Sequence, residues 1–560
     1  MKVVIVGGVA GGAGAAARLR RNNESAQIVL FEKGEYISFA NCGLPYYVGG
    51  AITDKAALQL QTPASFHARF NVDVRVQSEV VKVDPREKTV LVKNHANGTE
   101  YTESYDKLIL SPGAAPIRPA MEGADGEQVF TLRNIPDTYR IKEYVEQRRP
   151  KTCAVIGGGF IGVEMAENLK EAGLDVTIVE AQDHLFANID TDMSYDIHGH
   201  LRAKGVKLCL GHMLESIRPD GVMVSGGAFI PAEMVLLSIG VRPETAFLAD
   251  SGIELGKRGE ILVDEYMQTN EPDVYAVGDA ISVENFVTGE HVVIPLAGPA
   301  NKQARIVADN VCGKREAYNG SQGTAVAKVF DMTVASTGLT EAQVQKLGLP
   351  YHKTFTFSQS HASYYPGGKP LFLKLIYSPE GEILGAQITG YDGVDKRIDV
   401  IATAQRAGLT VWDLAELELS YAPPYSSAKD PVNMAGFVAC NVLEGRTDPF
   451  FVEDLSTLSE DALWLDIRTG GEYERGTIPG FVNIPLDDIR QSLDRIPKEK
   501  ELYITCQVGL RGYVGERILK NLGYKVHNLS GGYRHYAAFK ADQEARAHES
   551  VSRAECGMED

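Results

Sequence analysis

Two copies of one local pattern constrain this chain more than anything else in it. Residues 2–6 (KVVIV) form a short apolar run of the kind shown by a strand buried on both faces. GGVAGG follows at 7–12, then AGAAARLRR, a good helix former, and IVLFE closes a second strand on Glu32, 25 residues after Gly7. The plan returns at 151–180, KTCAVIGGGFIGVEMAENLKEAGLDVTIVE, with Gly157, Gly159 and Gly162 all in place. Glycines permit the tight turn and the close approach of a phosphate. The helix start offers free N–H groups, and the acidic residue ending the second strand meets ribose hydroxyls. The layout predicts two dinucleotide sites, with one nucleotide handing electrons to the other. In the first copy Val9 replaces the middle glycine, and the flanking strand, helix and Glu32 carry the assignment. In the second, Glu180 is followed by Ala-Gln-Asp-His with no arginine, which favours NADH and repels the 2′-phosphate of NADPH. Glu164, just inside the second helix, is either a helix-surface residue or a neighbour of the nicotinamide; the spacing leaves both open.

Length and charge narrow the class. A chain of 560 residues exceeds what one core supports, so three or four domains are expected. The formal charge of −18 argues against a general nucleic-acid binder and against an anionic membrane surface. Seven scattered cysteines (42, 153, 209, 312, 440, 506 and 556), with no CxxC, suggest neither a disulfide scaffold nor a zinc site and fit a reducing compartment. The apolar start is broken by glycines and reads as strand, turn and helix rather than a signal segment, and no run of about 18 apolar residues exists. A cytoplasmic protein is expected.

SFANCGLPYYVGG (38–50) places one thiol, Cys42, about ten residues beyond Glu32. N-C-G-L-P reads as a loop entering a helix, with Pro45 near its first turn. Free N–H groups and a positive helix end there favour a reactive thiolate; the alternative is an inert buried cysteine. Arg18 and Arg21, one turn apart on the first helix, are candidate cations for a phosphorylated ligand, or else a solvated helix face.

Further motifs carry a family resemblance. The two G-x-G-x-x-G units, SPGAAP (111–116), SIGVRP (238–243) and VYAVGDA (274–280) together resemble the two-dinucleotide-domain flavoprotein disulfide reductases over roughly residues 1–440. The resemblance implies FAD on the first unit, contacted by Gly7, Gly8, Ala10, Gly12, Glu32, Lys33, Gly113, Gly278, Asp279, Pro295 and Ala297, with Asp279 on the flavin ribitol. It implies NADH on the second, contacted by Gly157, Gly159, Phe160, Ile161, Gly162, Glu180 and Gly240. Most members pair two nearby cysteines, whereas this region has only Cys42. It is therefore similar to the single-cysteine branch, which includes coenzyme A disulfide reductases and NADH oxidases and peroxidases. A lone thiol beside a flavin takes an external sulfur as partner or cycles through sulfenic acid. The coenzyme A branch implies Ser38, Asn41, Asn301 and Arg305, beside Arg18 and Arg21, as coenzyme A contacts. Alternating strands and helices over 323–445 would then be a dimerisation domain. Tyr364 or Tyr365 (in HASYYPGG) and Tyr425 (in YAPPYSS) would approach the cysteine of the partner copy; packing at the interface is the alternative.

LYITC ends in Cys506, and QVGL leads to Arg511 at the opening of a helix. A tight strand-to-helix loop turns N–H groups inward as an anion nest around the sulfur. With Asp466, Arg468 and GTIPG (476–480), this part resembles a rhodanese domain across about 452–542, with Cys506 as sulfur acceptor and Thr477 where the family has histidine. Four residues separate Cys506 from Arg511, a loop size that implies sulfur rather than phosphate or arsenate.

The expected fold is α/β: two interleaved Rossmann-like domains for FAD (1–115 and 245–322) and NAD(P)H (116–244), an α+β dimerisation domain (323–445), a linker (446–455), a C-terminal α/β rhodanese domain (456–545) and a disordered tail (546–560). The whole resembles coenzyme A disulfide reductase–rhodanese fusions. That implies an NADH-dependent homodimeric reductase of coenzyme A persulfide, polysulfide or coenzyme A disulfide, with Cys506 carrying sulfane sulfur toward Cys42. Two alternatives stand beside it: an NADH oxidase or peroxidase, and a sulfur-carrier or redox-sensing flavoprotein. His198 and His200 (in DIHGH) read as helix-end residues rather than metal ligands.

Overall fold

The computed structural model describes residues 1–555, with side chains through residue 549; Cys556 lies outside them. The chain divides into two compact units, 1–181 with 212–323, and 182–211 with 324 onward. Each is described by itself.

Unit 1 holds both glycine-turn motifs. Strands Lys2–Val6 and Gln27–Phe31 pair in parallel, Lys107–Leu110 flanks the first on its other side, and Val274–Ala276 and Asp73–Arg75 complete a five-stranded sheet. Both faces are covered, so Val3, Val4 and Ile5 have no exposed surface. In the second motif, Thr152–Ile156 lies between Asp175–Glu180 and Met234–Leu237, again parallel. Helix Ala10–Asn22 packs against helix Ala297–Val311 closely enough that a Cβ on Gly14 would lie 3.2 Å from that of Ala304.

Unit 2 contains a five-stranded antiparallel sheet (Ala325–Val329, Met332–Gly338, Ile383–Gly390, Pro370–Tyr377, His352–Gln359, in spatial order) backed by helices Val394–Arg406, Val411–Glu416 and Pro431–Leu443. It also contains a five-stranded parallel sheet built around strands Leu463–Asp466, Leu502–Thr505 and Val526–Leu529. Three sequence expectations change here. The expected linker carries an edge strand, Pro449–Phe450, paired with Asn528 and Leu529, and Asp448 N–H donates to the buried Glu516 at 2.8 Å. The last helix, Gly532–Glu555, continues through the first ten residues of the expected tail. Helix Thr191–Ala203, expected with the second nucleotide motif, belongs to unit 2.

Buried charge makes that last attachment. Lys374 has no exposed surface, and its Nζ donates to Asp192 (2.7 and 2.9 Å) and Glu341 (2.6 Å), 3.0 Å from Asp190. Gln387 clamps Asp190 further, accepting from its N–H and donating to its carboxylate. His198, buried on the helix, contacts Asp542 at 3.1 Å, and Arg202 donates to Asp542 (2.7 Å) and Glu549 (3.0 Å). Among the described residues all six cysteines are free thiols, no group of acidic, His or Cys residues is placed to hold a metal, and no helix is long and apolar enough to cross a membrane.

Burial opposes ionisation of Glu341, but the adjacent Lys374 and Lys353 overcome it and hold the carboxyl down to about 2. This contribution to stability is present above the ordinary carboxylate range, near pH 4.3, and is lost as pH falls toward 2. Lys374→Ala leaves three carboxylates facing one another without their cation, at a cost of about 3–5 kcal/mol. Thermal melts followed by circular dichroism should show a lower unit 2 transition in the variant and a weaker decline between pH 4.5 and 2.

Candidate functional site

The first glycine turn is closed by contact with itself. A Cβ on Gly12 would lie 1.8 Å from the Gly7 carbonyl oxygen, so no larger residue lets the helix start there. Glu32 folds back over the turn, its carboxylate accepting from Gly8 N–H at 2.9 Å and Gly34 N–H at 2.8 Å. Gly162 repeats the approach, 1.9 Å from the Gly157 oxygen, and Glu180 accepts from Gly158 N–H at 2.7 Å. A Cβ on Gly159 would meet nothing within 4 Å, which leaves space in front of the helix start. Gly113 faces similarly open space. Gly278 donates to Gln303 at 2.8 Å, and burial raises the pKa of the neighbouring Asp279 carboxyl against the pull of Arg133. Pro295 and Ala297 lie at the start of helix Ala297–Val311. Gly240 ends the turn after Met234–Leu237, and Phe160 and Ile161 open helix Phe160–Glu171. Both turns fit a dinucleotide: an acidic residue tied to the glycine loop, and room before a helix N-terminus. Lys33 is engaged by Glu244, which also binds Arg133.

Cys42 sits in a 3-10 turn, Asn41–Gly43, that runs into the short helix Leu44–Val48. The loop is fastened to the first nucleotide turn, since Ser38 N–H donates to the Gly8 carbonyl at 2.8 Å. The expected electrostatics are reversed. The residue is open to solvent, yet burial around the sulfur pushes the thiol pKa up, and Glu164 and Asp279 push it the same way. The positive helix end does not outweigh them. Glu164 is hydrogen-bonded to the Tyr46 hydroxyl; burial and Glu167 raise its carboxyl to about 7, and burial with Glu164 pushes Tyr46 up to about 12. Glu164 therefore faces the Cys42 loop, and Tyr46 is a site residue the sequence reading missed, although four residues after Cys42 was a position worth weighing.

The coenzyme A candidates separate into two groups. Arg18 is not free for a phosphate: it grips buried Asp309 with two bonds, at 2.9 and 3.0 Å, and Asn22 and Lys314 bind the same carboxylate. Arg21, Asn41, Asn301 and Arg305 are exposed, and Asn301 also donates to the Ala297 carbonyl at 2.8 Å. Ser38 is half-buried, with a left-handed backbone (φ 45°).

Tyr364 and Tyr425 are 73% and 74% exposed, and Tyr365 43%. Tyr364 and Tyr421 hydroxyls meet at 2.5 Å, a pairing the sequence did not suggest, and Tyr365 lies edge-on to His361.

Cys506 is wholly buried at the end of strand Leu502–Thr505, and its sulfur accepts from Gly509 N–H at 3.1 Å. Tyr533 and Arg534 N–H groups brace the loop through the carbonyls of Cys506 (2.7 Å) and Gln507 (3.0 Å). Helix Leu510–Asn521 begins one residue before Arg511. The Arg511 guanidinium is held by Glu472 in two bonds of 2.6 and 2.7 Å, which keep that carboxyl at about 2. Arg511 is thus neutralised, although close enough for the Cys506 thiolate to act on it. Thr477 donates to Asp466 at 2.8 Å beside the Asp466–Arg468 pair.

Comparison with known proteins agrees with this geometry. Residues 1–304, more than half the chain, match the model described as pyridine nucleotide-disulphide oxidoreductase. The chain belongs to that family. Residues 324–431 match the family's dimerisation domain and 451–539 a rhodanese-like domain. Coenzyme A disulfide reductases of Staphylococcus aureus and Staphylococcus haemolyticus are each 35% identical to this oxidoreductase, over 78% of its chain and 99% of theirs. A solved structure of reduced Bacillus anthracis CoADR-RHD superposes with TM-score 0.94 at 49% identity, covering 96% of this chain and 98% of that one. An NAD-dependent persulfide reductase from A. fulgidus follows at 0.91 and 37%, covering 96% and 100%. The water-forming NADH oxidase of Lactobacillus brevis reaches 0.76 and 28%, covering 80% of this chain and 99% of its own. As a family member the chain is an oxidoreductase that uses FAD and NADH.

The Glu164 charge can be tested at the thiol. Glu164→Gln should move the pH midpoint of Cys42 alkylation by iodoacetamide downward, because a negative neighbour disfavours thiolate. An unmoved midpoint would remove the coupling.

Proposed function

We propose that this chain is an NADH-dependent flavoprotein reductase of coenzyme A disulfide and of coenzyme A persulfide or polysulfide, acting as a cytoplasmic homodimer. One observation carries the reading: a single thiol without a cysteine partner in its loop and a second thiol in an N–H-lined loop share one chain, as in the CoADR-RHD and persulfide reductase relatives.

FAD, when bound, supplies the two-electron reductant that NADH replenishes. Glu32, Asp279 and the turn at Gly7–Gly12 would hold it; Glu180 and the turn at Gly157–Gly162 would hold NADH. Cys42 loses its proton and attacks one sulfur of coenzyme A disulfide, forming a mixed disulfide and releasing coenzyme A thiolate. Two electrons then cleave the mixed disulfide, leaving Cys42 and a second coenzyme A as thiols. With a persulfide, the outer sulfur leaves as sulfide. Glu164, with its carboxyl near 7, is placed to take up and return the proton at Cys42 through Tyr46. The Tyr365 and Tyr425 phenols of the partner copy donate to the departing thiolate. Arg21 and Arg305 meet coenzyme A phosphates, with Ser38, Asn41 and Asn301 beside them. Cys506 collects sulfane sulfur, its loop N–H groups steadying the terminal anion, and passes it toward Cys42 through coenzyme A.

In the full-length holoenzyme, Cys42→Ser should lose coenzyme A disulfide reduction by more than about 1,000-fold and still let NADH bleach the flavin. Cys506→Ser should abolish sulfur transfer from thiosulfate and slow polysulfide reduction, with coenzyme A disulfide reduction unchanged. Oxygen-driven NADH oxidation that matches the rate with every sulfur acceptor would favour an oxidase. Failure of NADH to bleach the flavin would favour a sulfur carrier.

A further inference from the structure

Arg397 is among the largest wholly buried side chains of the protein, and it lies beneath the exposed tyrosines. It stands in the first turn of helix Val394–Arg406. Its Nη2 donates to the Ser360 carbonyl (2.9 Å), the Ser426 hydroxyl (3.1 Å) and the Asp430 carboxylate (3.1 Å), and reaches the Tyr425 carbonyl at 3.5 Å. Its Nη1 donates to the Gly393 carbonyl at 3.1 Å, and a Cβ on Gly393 would sit 2.0 Å from that nitrogen. The helix entrance is cut to admit the guanidinium.

The acceptors belong to two loops. Ser360 opens residues 360–369, which carry Tyr364 and Tyr365, and is paired through its backbone with Lys369 at 2.7 Å. Tyr425 and Ser426 belong to residues 421–427, and Ser426 donates to Asp430 at 2.6 Å. Ala362 N–H joins the loops directly through the Ser426 carbonyl at 3.1 Å. Asp430 in turn caps helix Pro431–Leu443 by accepting from Val432 N–H at 3.0 Å. One planar fork therefore ties both loop bases to two helix starts. Lysine, with a single nitrogen, cannot span acceptors at both Nη positions.

Rigid bases beneath exposed rings are the feature to explain. Apolar packing could have closed this spot without the cost of burying a charge. We infer that Arg397 is a positioning residue for the sulfur chemistry, fixing the spacing of Tyr364 and Tyr365 relative to Tyr425 so that phenols from two loops reach one sulfur atom together. The inference rests on the tyrosine role proposed above.

The test separates the two half-reactions in full-length holoenzyme. NADH bleaching of the flavin needs no tyrosine; reoxidation by coenzyme A disulfide does. Arg397→Lys should bleach at the parental rate and lose about 10- to 100-fold in kcat for the disulfide with KM little changed, the cost of misplacing a reacting group by about an ångström. Ser426→Ala, which removes one hydroxyl, should lose several-fold in the same step, and it decides the matter if Arg397→Lys does not fold. Arg397→Lys or Ser426→Ala with a parental reoxidation rate, alongside impaired Tyr365→Phe and Tyr425→Phe, overturns the positioning role. So does equal slowing of both half-reactions, which marks a general structural part. If the two Phe variants themselves reoxidise normally, the tyrosine reading fails first, and that result is distinct from the others.

Discussion

Where Gly12 passes the Gly7 carbonyl, and Gly162 that of Gly157, the chain comes closer to itself than any side chain allows, and the organisation of unit 1 follows from those two contacts. The turn sets where each helix begins, and the helix start sets where a pyrophosphate can lie. The carboxylates of Glu32 and Glu180 then lock onto the turn amides. The Cys42 loop is anchored by a backbone bond from Ser38 to Gly8, inside the first turn, so the thiol inherits its position from the nucleotide site. A single steric rule thereby fixes both where electrons arrive and which sulfur receives them.

The two thiols are prepared in opposite ways. Cys42 is open to solvent among carboxyl groups that favour the neutral thiol. Cys506 is sealed from solvent, with a backbone N–H on its sulfur and a guanidinium nearby that is already matched by Glu472. The first arrangement suits a thiol whose proton must be moved on demand. The second suits an anion kept in store. Their separation within one chain is chemically sensible, because a permanently ionised sulfur beside a flavin would be exposed to indiscriminate oxidants.

Local features were legible in the sequence and long-range ones were not. The glycine turns, the strands before Asp279 and Cys506, and the Pro45 helix start each depend on residues within a few positions. The domain kinds read from those motifs agree with the three family matches. The sign of the Cys42 shift depends on Glu164 and Asp279, more than a hundred residues away, so a rule based on the local helix end gave the wrong direction. Arg18 looked like a phosphate ligand because Asp309, its partner, lies 291 residues further on. The edge strand Pro449–Phe450 is two residues long and carries no periodicity of its own; only its partners Asn528 and Leu529 define it. Arg397 sat unremarked in an amphipathic helix because its acceptors are backbone carbonyls and hydroxyls of distant loops.

The attachment of helix Thr191–Ala203 has a consequence for the history of such chains. His198 and Arg202 spend their polar groups on Asp542 and Glu549, and Phe355 and Phe372 stack on His535, all supplied by the last helix. A reductase of about 440 residues, the span matched in the Staphylococcus relatives, has no such helix to meet those positions. Gaining or losing the rhodanese domain therefore could not have been a clean cut at a linker. It required the surface of the older domain to be rewritten at the same time, from a water-facing skin to a charged and aromatic seat.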